Sequence, residues 1–180
     1  GPSPMTKPPD QPAQGHWQTV YLSKPVDSVS WYRPHLDVSL ALLEKAGMTP
    51  SSRVLDVGGG ASTLVDDLLD RGVTDIIVLD LSGQALTVSG DRLGPRAAGV
   101  RWIAADLLEE PLPADGFDLW HDRAVLHFLV DPHDAKRYVE QAQHALRPGG
   151  HAVIGGFAPD GPERCSGLVV ARRSGDEIIA

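Results

Sequence analysis

A run of three glycines and the acidic residues spaced around it are the parts of this chain whose types and positions could do chemistry. Gly58, Gly59 and Gly60 follow the short apolar segment Val54-Leu55-Asp56-Val57, and a helix-patterned segment follows at once. Glycine lets the backbone turn sharply and lets a ligand approach where any Cβ would collide. A glycine run alone is weak evidence. Two acids strengthen it: Asp56, two positions before the first glycine, and Asp80, twenty after the last. A carboxylate at the end of a second strand can accept hydrogen bonds from both hydroxyls of a ribose.

These groups fit some nucleotide cofactors better than others. A dinucleotide must rest its pyrophosphate on helix N–H groups, and a carboxylate pointing into that loop, as Asp56 is expected to do, opposes a dianion. It suits a cationic ligand such as the ammonium of an amino-acid moiety. Thr63 also stands where the dinucleotide fingerprint has its last glycine. Glycine loop, preceding acid and second-strand acid together point to S-adenosylmethionine, with NAD the main competitor.

The elements that must position these groups read as an alternating series. Leu36, Leu40 and Leu43 recur at helical spacing from Pro34, and Gly47 supplies a stop. Strands are expected at 53–57, 75–80, 100–105, 117–121 and 151–157, and helices at 63–70, 82–92 and from Asp131-Pro132 to Leu146. In the last helix Asp131 caps, Pro132 opens the first turn, and Ala135, Tyr138, Val139, Ala142 and Leu146 share a face. Strands alternating with helices predict an α/β fold, a doubly wound, Rossmann-like, mostly parallel sheet. Such sheets bind ligands at the carboxyl ends of their strands. Asp56, Asp80, Asp106 and His121-Asp122 all fall at those ends.

Bulk properties set limits. The 180 residues suffice for one domain with one core. Residues 1–14 read as a tag remnant and a Pro-rich disordered arm, 15–50 as an N-terminal lid and helix, 51–157 as the Rossmann-like core and 158–180 as a short tail. A formal charge of −8 without a basic run argues against nucleic acid as a partner. One cysteine, Cys165, allows no internal disulfide and suits the reducing cytoplasm. No apolar stretch has membrane-spanning length, so no membrane association is expected.

With these residues in view, the chain resembles class I S-adenosylmethionine-dependent methyltransferases. The likeness rests on Val54-Leu55-Asp56-Val57-Gly58-Gly59-Gly60, Val78-Leu79-Asp80-Leu81-Ser82, Ala105-Asp106-Leu107, Phe117 to Arg123, and Leu146-Arg147-Pro148-Gly149-Gly150, and covers roughly residues 15–157. The opening His16-Trp17…Tyr21…Lys24…Ser30-Trp31-Tyr32 is similar to the entry segment of a branch that includes protein-lysine methyltransferases and bacterial small-molecule enzymes. The resemblance implies that Asp56 and Gly58, Gly59 and Gly60 lie against the methionine and ribose parts of the cofactor, and that Asp80 holds the ribose hydroxyls beside Leu81 at the adenine. It implies further that Asp106 bonds the exocyclic amine with Leu107 on the ring, that His121 lies near the methionine portion, and that Tyr32, with Trp17 and Trp31, closes over the cofactor.

Methyl transfer from a sulfonium needs alignment and exclusion of water more than a catalytic triad. Where the nucleophile must lose a proton, Asp122 and His127 are the candidate bases. The alternatives are that Asp122 caps the next turn and that His127 sits half-buried on an apolar turn. Trp17, Trp31 and Tyr32 could equally be core aromatics. His121, Asp122 and His127 lack the spacing of a metal site, so no metal is expected.

The expected function is methyl transfer to a small-molecule nucleophile. A protein lysine as acceptor is one alternative, a catalytically impaired cofactor-binding module another, and NAD-dependent reduction the last. After Phe157 the sheet pattern runs short, with only 168–171 and 177–179 suited to very short strands. Strand 151–157 is therefore expected as an exposed edge that pairs with a second copy in a homodimer, or leaves a weakly stable monomer.

Overall fold

The computed structural model describes residues 17–21, 34–60, 62–123, 125–126, 129–157 and 165–172. In chain order these form β1 (Trp17–Tyr21), α1 (Pro34–Lys45), β2 (Arg53–Val57), α2 (Leu64–Asp70), β3 (Asp75–Asp80) and α3 (Gly83–Leu93). A 3-10 turn, Gly94–Gly99, leads to β4 (Val100–Ala104), β5 (Phe117–Asp122), α4 (Pro132–Ala145), β6 (Leu146–Phe157) and β7 (Cys165–Arg172).

Local chemistry explains the boundaries. Ser82 caps α3 by accepting from the Ala85 N–H at 3.0 Å, and Asp131 caps α4 by accepting from His133 N–H at 2.9 Å, with Pro132 in the first turn. Gly72, at φ +85°, lets the chain leave α2 in a left-handed turn. β2 and β3 are apolar on both faces because both faces are covered.

The seven strands form one sheet in the order β1-β7-β6-β5-β2-β3-β4. From β6 to β4 every neighbouring pair is parallel, whereas β7 runs antiparallel to β6 and β1 antiparallel to β7. The alternation of side chains along a strand divides the core in two. One cluster joins Leu40 and Leu43 of α1, Leu64 and Leu68 of α2, and Leu86 and Leu93 of α3 to Val54, Ile76, Leu119 and Val153. The opposite cluster joins Tyr138, Ala142 and Ala145 of α4 to Leu55, Leu79, Trp120 and Ala152. β2 is the point where strand order reverses: β3 and β4 lie to one side, β5 and β6 to the other. That is where an open α/β sheet forms its ligand crevice.

Two expectations about the sheet are corrected. β6 begins at Leu146 rather than 151, because Pro148-Gly149-Gly150 stays within the strand; a register shift against β5 and a left-handed Gly149, φ +87°, absorb the irregularity. β6 is also not an edge. β7, twice the expected length of 168–171, pairs with it from His151↔Ala171 to Phe157↔Cys165, and β1 covers β7 in turn. The premise for pairing two copies through β6 is therefore absent. Residues 177–179 lie outside the described residues. Among the described residues no helix is long and apolar enough to cross a membrane.

Candidate cofactor site

The glycine loop leaves the end of β2 at the reversal point. Gly58 turns at φ +73° and donates its N–H to Leu79 O at 2.7 Å, which carries the chain over the end of β3. Each glycine is small for a reason internal to the protein. A Cβ on Gly58 would meet Val125 Cγ2, and one on Gly59 would overlap the Asp56 carboxylate. At Gly60 a Cβ would stand 2.7 Å from Asp80 Oδ2 and 2.9 Å from Ala85 Cβ.

The acids therefore bracket the loop. Asp56 is 2% exposed and forms its floor. Asp80, half-buried, holds it from the side, accepting Gly60 N–H on Oδ2 at 3.0 Å and Ser82 N–H on Oδ1 at 2.8 Å. A carboxylate has about four acceptor positions, so each Asp80 oxygen keeps capacity for a ligand hydroxyl. Beside Asp80, Leu81 presents a side chain 75% exposed. Asp106, just past the end of β4, is exposed and accepts Leu108 N–H on Oδ1 at 2.9 Å.

Register explains a buried pair on β2 and β5. Asp56 and His121 are direct cross-strand partners, so their side chains share a face. His121 Nδ1 lies 2.9 Å from Asp56 Oδ1, and Nε2 lies 2.8 Å from Ser39 Oγ of α1. The imidazole thus bridges the Asp56 carboxylate on one side and the Ser39 hydroxyl on the other. The order of groups is that of a nucleophile relay, but Ser39 lies inside α1 and is 7% exposed. Its hydroxyl faces the imidazole, not a substrate.

Asp122, the next residue, points to the opposite face and is fully buried. It accepts Val125 N–H at 2.6 Å, Leu126 N–H at 2.9 Å and Tyr138 O–H at 2.5 Å, while Trp120 Nε1–H donates to Tyr138 Oη at 2.9 Å. Burial pushes the Asp122 carboxyl above the usual range, against the lowering effect of its hydrogen bonds. Burial and the neighbouring carboxylate push the Tyr138 phenol well up. A carboxylate with no exposed surface, committed to a turn and a phenol, caps that turn; the expected base role does not fit it.

Placement thus divides the expected residues. Asp56, Gly58, Gly59, Gly60, Asp80, Leu81 and Asp106 gather around one rim. His121 belongs beneath the loop: at 2% exposed, its side chain serves Asp56 and not an entering substrate. Leu107 is 6% exposed and packed into the α4-side cluster, so its side chain is core and not an open wall for adenine. Tyr32, Trp31 and His127 lie outside the described residues. Among the described residues no group of three His, Cys, Asp or Glu could hold a metal.

The sequence reading missed residues that fix the loop from α3. Ser89, fully buried, donates its hydroxyl to Gly60 O at 2.5 Å, and Arg92 reaches Ser62 O at 3.2 Å while pairing with Asp66. A serine inside a helix carries no local signal for such a contact.

The chain is similar to known proteins in sequence and in fold. The methyltransferase domain family matches residues 54–150. The ubiquinone/menaquinone biosynthesis C-methyltransferase UbiE of Ectopseudomonas mendocina is 29% identical over 123 residues, 66% of this chain and 47% of that protein. The eEF1A lysine and N-terminal methyltransferase of Bos taurus is 24% identical over 142 residues, 78% of this chain but 20% of that protein. The chain thus spans about half or less of the length of these curated relatives. The N-methyltransferase NodS of Bradyrhizobium japonicum, solved with S-adenosyl-L-homocysteine, superposes with a TM-score of 0.67 at 21% identity, covering 80% of this chain and 88% of that one. An S-adenosylmethionine-dependent methyltransferase from Mesorhizobium loti is 29% identical with a TM-score of 0.58, covering 69% of this chain and 56% of that one.

Proposed function

The chain belongs to the methyltransferase domain family, and from that premise we propose that it transfers a methyl group from S-adenosylmethionine to a small-molecule nucleophile. The observation that carries the reading is the glycine loop set between two carboxylates, Asp56 under Gly59 and Asp80 against Gly60. The residues present fit the cofactor. Asp80 has acceptor capacity for ribose hydroxyls, Leu81 offers apolar surface to a base, and Asp106 keeps an oxygen for an exocyclic amine. Asp56, kept in place by His121, puts negative charge under the loop. That charge favours an ammonium-bearing ligand and opposes a pyrophosphate, which disfavours NAD.

When bound, the cofactor supplies a methyl group on a sulfonium, an already activated leaving group. The protein's part is to hold the donor, align the acceptor and exclude water. Similarity to a quinone-pathway C-methyltransferase supports a small acceptor. A protein lysine is the second reading, supported by similarity to the eEF1A lysine and N-terminal methyltransferase. The lone Cys165 supports a cytoplasmic setting.

Incubation with methyl-labelled cofactor and a cell lysate tests the proposal. Label in the small-molecule fraction supports the main reading, and label on a protein band supports the second. Cofactor binding without label in any fraction would refute both and leave a binding module.

A further inference from the structure

The turn after β5 sets one wall of the glycine loop, and its shape is decided at a distance. Val125 Cγ2 occupies the space that a Cβ on Gly58 would need, so Val125 packs directly on the first glycine. The backbone N–H groups of Val125 and Leu126 both end on the Asp122 carboxylate. Asp122 is aimed in turn by the Tyr138 hydroxyl, and that hydroxyl is fixed by the Trp120 indole N–H. Trp120 and Tyr138 are fully buried, 5.5 Å apart and edge-to-face at 74°. The indole, the phenol and the carboxylate each have a partner in this network.

Such a network is not the most stabilising way to fill a core. Burying a carboxylate costs desolvation, and apolar replacements of buried charged groups are often neutral or stabilising. What a fully satisfied network provides is a unique geometry. Here the geometry that it fixes is the turn carrying Val125 against Gly58.

We infer that Tyr138, on α4, is a positioning residue for the cofactor site, acting through Asp122 and Val125. This rests on the cofactor reading above. Removing the phenolic O–H takes one hydrogen bond from Asp122, leaving those of the two turn amides, and frees the turn to shift. Val125 then no longer defines the edge of the loop.

The test is Tyr138→Phe, which keeps the ring and removes the hydroxyl. Titration with S-adenosylhomocysteine should show affinity lowered by about five-fold or more, a coupling of ordinary size between sites. Hydrogen exchange at the Val125 and Leu126 amides should accelerate while that of β2 does not. In a Val125→Ala background the same substitution should cost little further affinity, because the wall it positions is gone. Asp122→Asn, which retains one acceptor for the turn, gives the same readout should Tyr138→Phe not fold. A lowered melting temperature with affinity within two-fold of the parent would overturn the inference, as would additive losses in the double variant. Loop-like exchange of the two amides in the unsubstituted protein would also overturn it. Failure of the unsubstituted protein to bind S-adenosylhomocysteine would instead remove the cofactor reading, and this inference with it.

Discussion

Substituting alanine at Gly59 should damage the protein from within, even with no ligand present. The new Cβ would overlap the Asp56 carboxylate. That carboxylate has little room to move: it is 2% exposed and held by His121 at 2.9 Å, and His121 is held by Ser39 at 2.8 Å. Overpacking of this kind costs about 1–3 kcal/mol. If Asp56 swings aside to avoid the clash, it loses a charge-assisted hydrogen bond of about 1.5–3 kcal/mol. Either route predicts a loss of about 1–3 kcal/mol, large but survivable for a domain of ordinary stability. Urea unfolding at neutral pH measures it. Asp56→Ala removes the obstructing group, so Gly59→Ala made in that background should cost less than about 0.5 kcal/mol. Equal losses in the two backgrounds would refute the reasoning, and so would a single variant as stable as its parent.

Three further outcomes follow from the same structure. Gly90 lies inside α3, and a Cβ added there would have nothing within 4 Å, so alanine should bring a gain of about 0.5–1 kcal/mol; a loss in urea unfolding would contradict the helical packing described. Asp80→Ala should weaken S-adenosylhomocysteine binding by about 1–3 kcal/mol through lost charge-assisted hydrogen bonds, and unchanged affinity in calorimetry would take Asp80 out of the site. Asp118 is pushed up by burial, but the Arg147 side chain and the Arg53 N–H outweigh that and hold it below its usual range. A carboxyl lowered on folding stabilises at neutral pH, and the contribution is lost as pH falls through the lowered value. The stability gap between the parent and Asp118→Asn should therefore close on acidification; a gap that widens would contradict the assignment.

Legibility in the sequence followed the range of the interactions. β2 and β3 were readable to the residue because an apolar run between turn signals is a local property, and the cap Asp131 acts within two residues. β1 was not. Its five residues pair with 168–172, about 150 positions away, and nothing local to Trp17–Tyr21 records that partner. The end of the sheet was misjudged for the same reason, since β7 is held by strands on both sides.

At the site, the acids Asp56, Asp80 and Asp106 were readable because they fall at strand ends beside a glycine run. The reason for the glycines was not. Sequence suggested room for a ligand, whereas the structure shows room for Asp56, Asp80 and Val125. The roles of Ser39, Ser89 and Tyr138 depend on hydrogen bonds spanning 16 to 82 positions, and their residue types alone suit helix interiors or core. Asp122 and His121 were placed at the correct strand end, but which way each faces follows from the register of β5 with β2.

The central claim is that the loop between Asp56 and Asp80 holds a sulfonium nucleoside by its sugar and amino-acid ends. Calorimetric titration of the intact chain with S-adenosylhomocysteine and with NAD, side by side, tests it most directly. The account predicts saturable binding of the first, weakened in Asp80→Ala, and none of the second. Binding of NAD, or of neither ligand, would contradict it.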